Sequence, residues 1–221
     1  MDPLNRRLLS TNLGLVYVEP NNYARAGSTL PETLDQVNSF ALPSKPQLSL
    51  YCVMMGGTAA INNEPTWARS VRSDILSNSN LVSRLYARGA RAIMVESQLV
   101  QDPNDRLPFG TNPDLQAEYD SAYASLNAGF RQAMDVFSKS HLDLRFYFVD
   151  MFSKLDDILA HPAQFGFTKT DIGALADPTL TDKSFDGPGA NYLFWDNNHF
   201  TAKLHQLIAS GWLEMQIPIS E

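Results

Sequence analysis

The chain has 221 residues, with 17 Lys and Arg against 24 Asp and Glu, for a formal net charge of −7. A hydrophobic share of 44% with 19% charged residues is ordinary globular composition and excludes a disordered chain. The acidic balance, without a basic cluster, argues against nucleic acid or an anionic membrane surface as a partner. One cysteine, Cys52, excludes an internal disulfide framework and a Cys-rich zinc site.

The opening Met1 to Leu9 has no apolar core of signal-peptide length, so no targeting signal is expected there. The longest apolar stretches, such as Leu50 to Met55, are too short to span a bilayer. Leu13 to Val18 reads as a short buried strand, broken by Glu19-Pro20-Asn21-Asn22. Leu30, Leu34, Val37 and Phe40 recur at helical spacing, with Pro31 suited to a first turn. Leu48 to Met55 predicts a strand ended by Gly56-Gly57. Trp67 to Tyr86 predicts a helix with Val71, Ile75, Val82 and Leu85 largely on one face and Gly89 as its terminator. A strand follows over Ala92 to Val95, then a helix starting at Asn112-Pro113-Asp114 and carried by Leu115, Tyr119, Tyr123, Leu126, Phe130, Met134 and Phe137. Leu144 to Val149 reads as a strand and Met151 to Leu159 as a short helix. A loop of roughly 30 residues then leads to a last helix from near Thr201 to near Met215. Strands alternating with helices imply a parallel sheet covered on both faces, with chemistry at the carboxyl ends of the strands. No linker divides the chain, so one domain over residues 1–221 is expected.

There is no Walker-type phosphate loop and no Gly-x-Gly-x-x-Gly after a strand. The four histidines, His141, His161, His199 and His205, form no His-Glu-x-x-His pair, so no metal site is expected. In the segment from Tyr192 to Thr201, Asp196 stands three residues before His199. A carboxylate that close can bond one imidazole nitrogen, fix the tautomer and leave the other nitrogen as a general base. The competing reading is a helix cap, since Asp or Asn before a helix start is common.

Phe194-Trp195-Asp196-Asn197-Asn198-His199-Phe200-Thr201, followed by His205-Gln206-Leu207-Ile208-Ala209, resembles the C-terminal block of the GDSL (SGNH) esterase/lipase family. Phe200 stands where that block usually has Pro. Asn22-Tyr23-Ala24-Arg25-Ala26-Gly27-Ser28-Thr29 is similar to the family's second block. Leu50 to Ala59 is similar to its third, a strand ending Gly-x-Asn-Asp. His161-Pro162-Ala163-Gln164-Phe165-Gly166-Phe167 resembles the family's Asn-Pro-x-x-Tyr-Gly-Phe element, with His161 read as closing the preceding helix.

The resemblance implies a flavodoxin-like, three-layer α/β fold and hydrolysis of a carboxylic ester by a Ser-His-Asp triad. The substrate it implies is a small-molecule or lipid acyl ester, with no cofactor. On this reading His199 shuttles the proton, Asp196 orients it, and the Gly27 N–H with Thr58 lines the oxyanion site. Two departures stand beside it. Thr58 and Ala59 replace the third block's Asn-Asp. No Gly-Asp-Ser occurs in the chain, and nothing from Met1 to Asn21 reads as a strand ending in one. The expectation is therefore an N-terminally truncated member that lacks its first strand and its nucleophile. The alternatives are an ester hydrolase and a catalytically inactive or purely binding relative.

Overall fold

The structure is a computed structural model that describes residues 22–25, 27–54, 67–97, 113–184, 186–196 and 199–214. The described chain falls into two compact units, one of residues 22–97 and 113–152 and the other of residues 153–214. The expected strand over Leu13 to Val18 and the Gly56-Gly57 terminator lie outside the described residues.

The first unit runs α1 (Leu30–Ser39), β1 (Leu50–Val53), α2 (Trp67–Ala87), β2 (Ala92–Glu96), α3 (Pro113–Ser140) and β3 (Arg145–Val149). Its three strands form one parallel sheet in the order β1-β2-β3. This is the α/β fold that the alternation predicts. The register aligns Tyr51, Ile93 and Phe146 in one row and Val53, Val95 and Phe148 in the next. That face packs into the core with Leu30 and Val37 of α1, Leu81, Val82 and Leu85 of α2, and Phe130 and Met134 of α3. Every residue of β2 is buried, including Ala92, Met94 and Glu96 on the opposite face. A central strand buried on both faces needs a continuous apolar run, and Ala92-Ile93-Met94-Val95 supplies it.

The ends of the helices are fixed by local chemistry. At the start of α1 the Glu32 carboxylate accepts hydrogen bonds from the Thr29 backbone N–H (2.7 Å) and hydroxyl (2.8 Å). These bonds hold the Glu32 carboxyl below its ordinary range. At the other end Arg88 reaches back to the Val37 and Phe40 carbonyls, which have no partner inside the helix. Gly89 stops α2 with φ of +100°, a conformation that side chains rarely adopt. Arg91 pairs with Asp143 at 2.6 Å while Tyr86 donates to the same carboxylate, tying the end of α2 to the turn before β3. Just after β2, the Ser97 N–H donates to the Val149 carbonyl (2.8 Å). Its hydroxyl accepts the Phe152 N–H (2.8 Å), one of the orphan donors of the next helix.

That helix, α4 (Met151–Ala160), leads into the second unit, which ends with α5 (Ala202–Glu214). The connection between them is not structureless. Short 3₁₀ turns form at Pro162–Phe165 and Pro188–Asn191, and Gly166 closes the first with φ of +74°. Leu193 N–H donates to the Lys169 carbonyl and Thr168 N–H to that of Asn191, both at 2.8 Å. Phe167, Ala174, Tyr192, Leu193 and Phe194 are buried along it. A long segment without helices persists because its backbone groups pair with each other.

Candidate active site

Asp196 and His199 sit on a tight hairpin. Thr201 N–H donates to the Leu193 carbonyl (3.1 Å) and Trp195 N–H to the His199 carbonyl (2.8 Å). Phe194 and Phe200 bridge as antiparallel partners, their ring centroids 5.3 Å apart. The ladder bonds come from the Trp195 and Thr201 N–H groups, so Phe200 serves this hairpin through its ring against Phe194 and not through its N–H.

The Asp196 carboxylate accepts the His199 backbone N–H at 2.8 Å. It also meets His199 Nδ1, at 2.8 Å from Oδ2 and 3.0 Å from Oδ1. An ionised carboxylate only accepts, so Nδ1 carries the proton and Nε2 is the basic nitrogen of the neutral ring. The His199 side chain is 75% exposed and that of Asp196 35%. The carboxylate is half shielded while the imidazole faces solvent. A purely helix-capping role is not what the geometry gives. The helix α5 begins at Ala202, directly after Thr201, and Asp196 caps its own turn instead.

A second segment backs the hairpin. Ala174 N–H donates to the Phe194 carbonyl (3.0 Å) and Leu175 N–H to that of Trp195 (2.9 Å). Asp177, buried, accepts the Thr179 N–H and hydroxyl and the Tyr192 hydroxyl (2.8 Å). The bonds from Thr179 and then Tyr192 pull the Asp177 carboxyl down to about 2. The sequence reading missed this support, because no local motif links residues 173–177 to 192–196.

The other predicted positions fall as follows. Gly27 lies in the first unit with φ of +73°, exposed, and among the described residues no heavy atom beyond its chain neighbours stands within 4 Å of where a side chain would begin. Thr58 and Ala59 lie outside the described residues. The Ser28 hydroxyl, next to Gly27, accepts a hydrogen bond from Gln36 (2.7 Å). His161 follows the last residue of α4 and bonds Asp157 one turn back at 3.1 Å, as a helix-closing residue should. His141 bonds the Phe137 carbonyl through Nδ1 and stacks on the Phe137 ring at the end of α3. Among the described residues no three His, Cys, Asp or Glu gather to hold a metal ion. Also among them, no helix is long and apolar enough to cross a membrane.

Comparison with known proteins bears on what this geometry serves. The chain is 26% identical over 183 residues to the GDSL esterase/lipase At1g29670 of Arabidopsis thaliana, covering 72% of the chain and 50% of that protein. It is 25% identical over 201 residues to the GDSL esterase/lipase At1g71691, covering 80% of the chain and 52% of the relative. It is 26% identical over 145 residues to the GDSL esterase/lipase APG, covering 60% and 41%. Both of these are also from Arabidopsis thaliana. The chain spans about half the length of these curated relatives. A family model, GDSL-like Lipase/Acylhydrolase, matches residues 3–212, nearly the whole chain and both units of the fold. The chain belongs to the GDSL-like lipase/acylhydrolase family.

Proposed function

We propose that this chain acts in the hydrolysis of a carboxylic acyl ester, of a small molecule or a lipid, with His199 as general base and Asp196 as its orienting carboxylate. The single observation that carries the reading is the 2.8 Å contact between Asp196 and His199 Nδ1, on an imidazole that solvent reaches. Membership in a family of ester hydrolases supports it. In this mechanism Nε2 of His199 takes the proton of an attacking hydroxyl. The carboxylate stabilises the imidazolium that forms, and Nε2 returns the proton to the leaving alkoxide. The Gly27 N–H and the Thr58 hydroxyl are the proposed oxyanion donors. A threonine is shorter than the asparagine of the family pattern. Loss of one such donor lowers kcat roughly 10²–10³-fold elsewhere.

The absence of a Gly-Asp-Ser from the 221 residues favours a second reading, a binding protein that keeps the family fold without its chemistry. The two separate cleanly in one experiment. The purified chain is treated with a fluorophosphonate and its intact mass measured beside hydrolysis of a p-nitrophenyl ester. One adduct with hydrolysis, both abolished in His199→Ala, is the expected result for an ester hydrolase. No adduct and no hydrolysis on a cooperatively folded chain would leave the binding reading.

A further inference from the structure

We propose that Gly173 is a positioning residue for the Asp196–His199 pair. A side chain at 173 would occupy the space where the Asp196 backbone now lies, so the glycine sets how deep that backbone sits. The catalytic meaning of this inference rests on the hydrolase reading above, while its geometric content does not.

The observation is a close approach between two backbones. A Cβ added to Gly173 would stand 2.6 Å from the Asp196 carbonyl oxygen, 2.8 Å from its carbonyl carbon and 3.1 Å from its Cα. Ordinary van der Waals contact begins near 3.4 Å. The obstacle is main chain, which cannot swing aside as the end of a side chain can. The φ of Gly173 lies outside the left-handed region, so an alanine meets no backbone strain there and differs only by the added methyl.

The approach is held from both sides. The Gly173 carbonyl accepts the N–H groups of Ala176 (2.9 Å) and Asp177 (3.1 Å), which makes residues 173–177 a tight turn. Ala174 and Leu175 donate to the Phe194 and Trp195 carbonyls, pinning the strand directly before Asp196. Tyr192, at the start of that strand, donates its hydroxyl to Asp177 of the same turn. With the turn fastened at three points, a methyl at 173 pushes Asp196 rather than itself. A displacement of several tenths of an ångström matters at a 2.8 Å hydrogen bond.

The test reads the His199 ring directly. Two-bond ¹H–¹⁵N correlation of the ¹⁵N-labelled chain at pH 8 reports which nitrogen carries the proton. In the wild type His199 is expected as the Nδ1–H tautomer, and in Asp196→Asn as predominantly the Nε2–H tautomer that free imidazole side chains prefer. Gly173→Ala is expected to move His199 toward the Asp196→Asn spectrum. Gly187→Ala is the control, since the nearest atoms its added Cβ meets are side-chain atoms of Ser184 and Asp182 and not the Asp196 backbone. It should leave His199 as in the wild type. A wild-type tautomer in folded Gly173→Ala overturns the inference. So does a wild-type chain whose His199 already resembles that of Asp196→Asn. Should circular dichroism show Gly173→Ala unfolded, Tyr192→Phe frees the same turn without adding an atom. It is expected to shift the tautomer in the same direction, and an unchanged spectrum there overturns the proposal. Where the wild type hydrolyses p-nitrophenyl butyrate, Gly173→Ala should lower kcat by about 10²-fold with KM nearly unchanged. A wild type without hydrolysis removes the hydrolase reading while the tautomer test still stands.

Discussion

Glu96 is the last residue of β2, only 3% exposed, and neither of its carboxyl oxygens has a hydrogen-bond partner among the described residues. Burial disfavours the charged form, and its pKa is pushed up from 4.5 to about 7. The folded state therefore holds a proton that the unfolded chain releases between those values. Stability is full below about pH 4.5 and falls as pH rises through 7. At 1.36 kcal/mol per pH unit the loss approaches about 3 kcal/mol. Asp177, Asp143 and Glu32 are shifted the other way, so their contributions are lost in acid, below this window. Glu96→Gln should match the wild type in urea denaturation at about pH 4 and exceed it by about 3 kcal/mol at pH 8. Equal curves at pH 8 would mean that Glu96 stays ionised in the fold at no cost.

The elements show what local sequence could and could not specify. Gly89 was legible as the end of α2, and the structure adds why its identity is fixed twice. Its φ is +100°, and a Cβ there would come within 3.0 Å of Pro46. Gly89→Ala should lower stability by roughly 1–3 kcal/mol without altering the His199 spectrum, as denaturation and NMR would show. The helices were legible because apolar residues repeat at helical spacing over many turns, as with Tyr123, Leu126, Phe130 and Met134, all buried on α3. The start of β1 was not. The apolar Leu48 invited a strand from that residue, yet Pro46-Gln47-Leu48 forms a 3₁₀ turn with Leu48 71% exposed, and pairing begins at Leu50. Proline at the first position favours that turn, and a short apolar run carries no period to oppose it. The Asp196–His199 pair was legible because its members stand three positions apart in the sequence. The turn at 173–177 was invisible, since its contacts with Asp196 and Tyr192 cross 15 to 23 residues of irregular chain.

At the scale of the whole molecule two pH-dependent effects oppose each other. The sequence isoelectric point is about 5.0, and the formal charge at pH 7 is −7. Mutual repulsion keeps chains apart at neutral pH and vanishes near pH 5, where unfolded chains with exposed core residues associate most readily. The protonation of Glu96 runs in the other direction and strengthens the fold as pH falls toward the same value. Heating should therefore give its higher midpoint near pH 5.5 and its better recovery near pH 8. The comparison requires calorimetry with a rescan at both pH values and light scattering of the heated samples. Glu96→Gln separates the two causes. It should raise the midpoint at pH 8 to near that at pH 5.5 while the heated samples at pH 5.5 still scatter, because the core residues exposed on unfolding are the same in both chains. A midpoint that still falls steeply toward pH 8 in Glu96→Gln would place the alkaline loss of stability in another group.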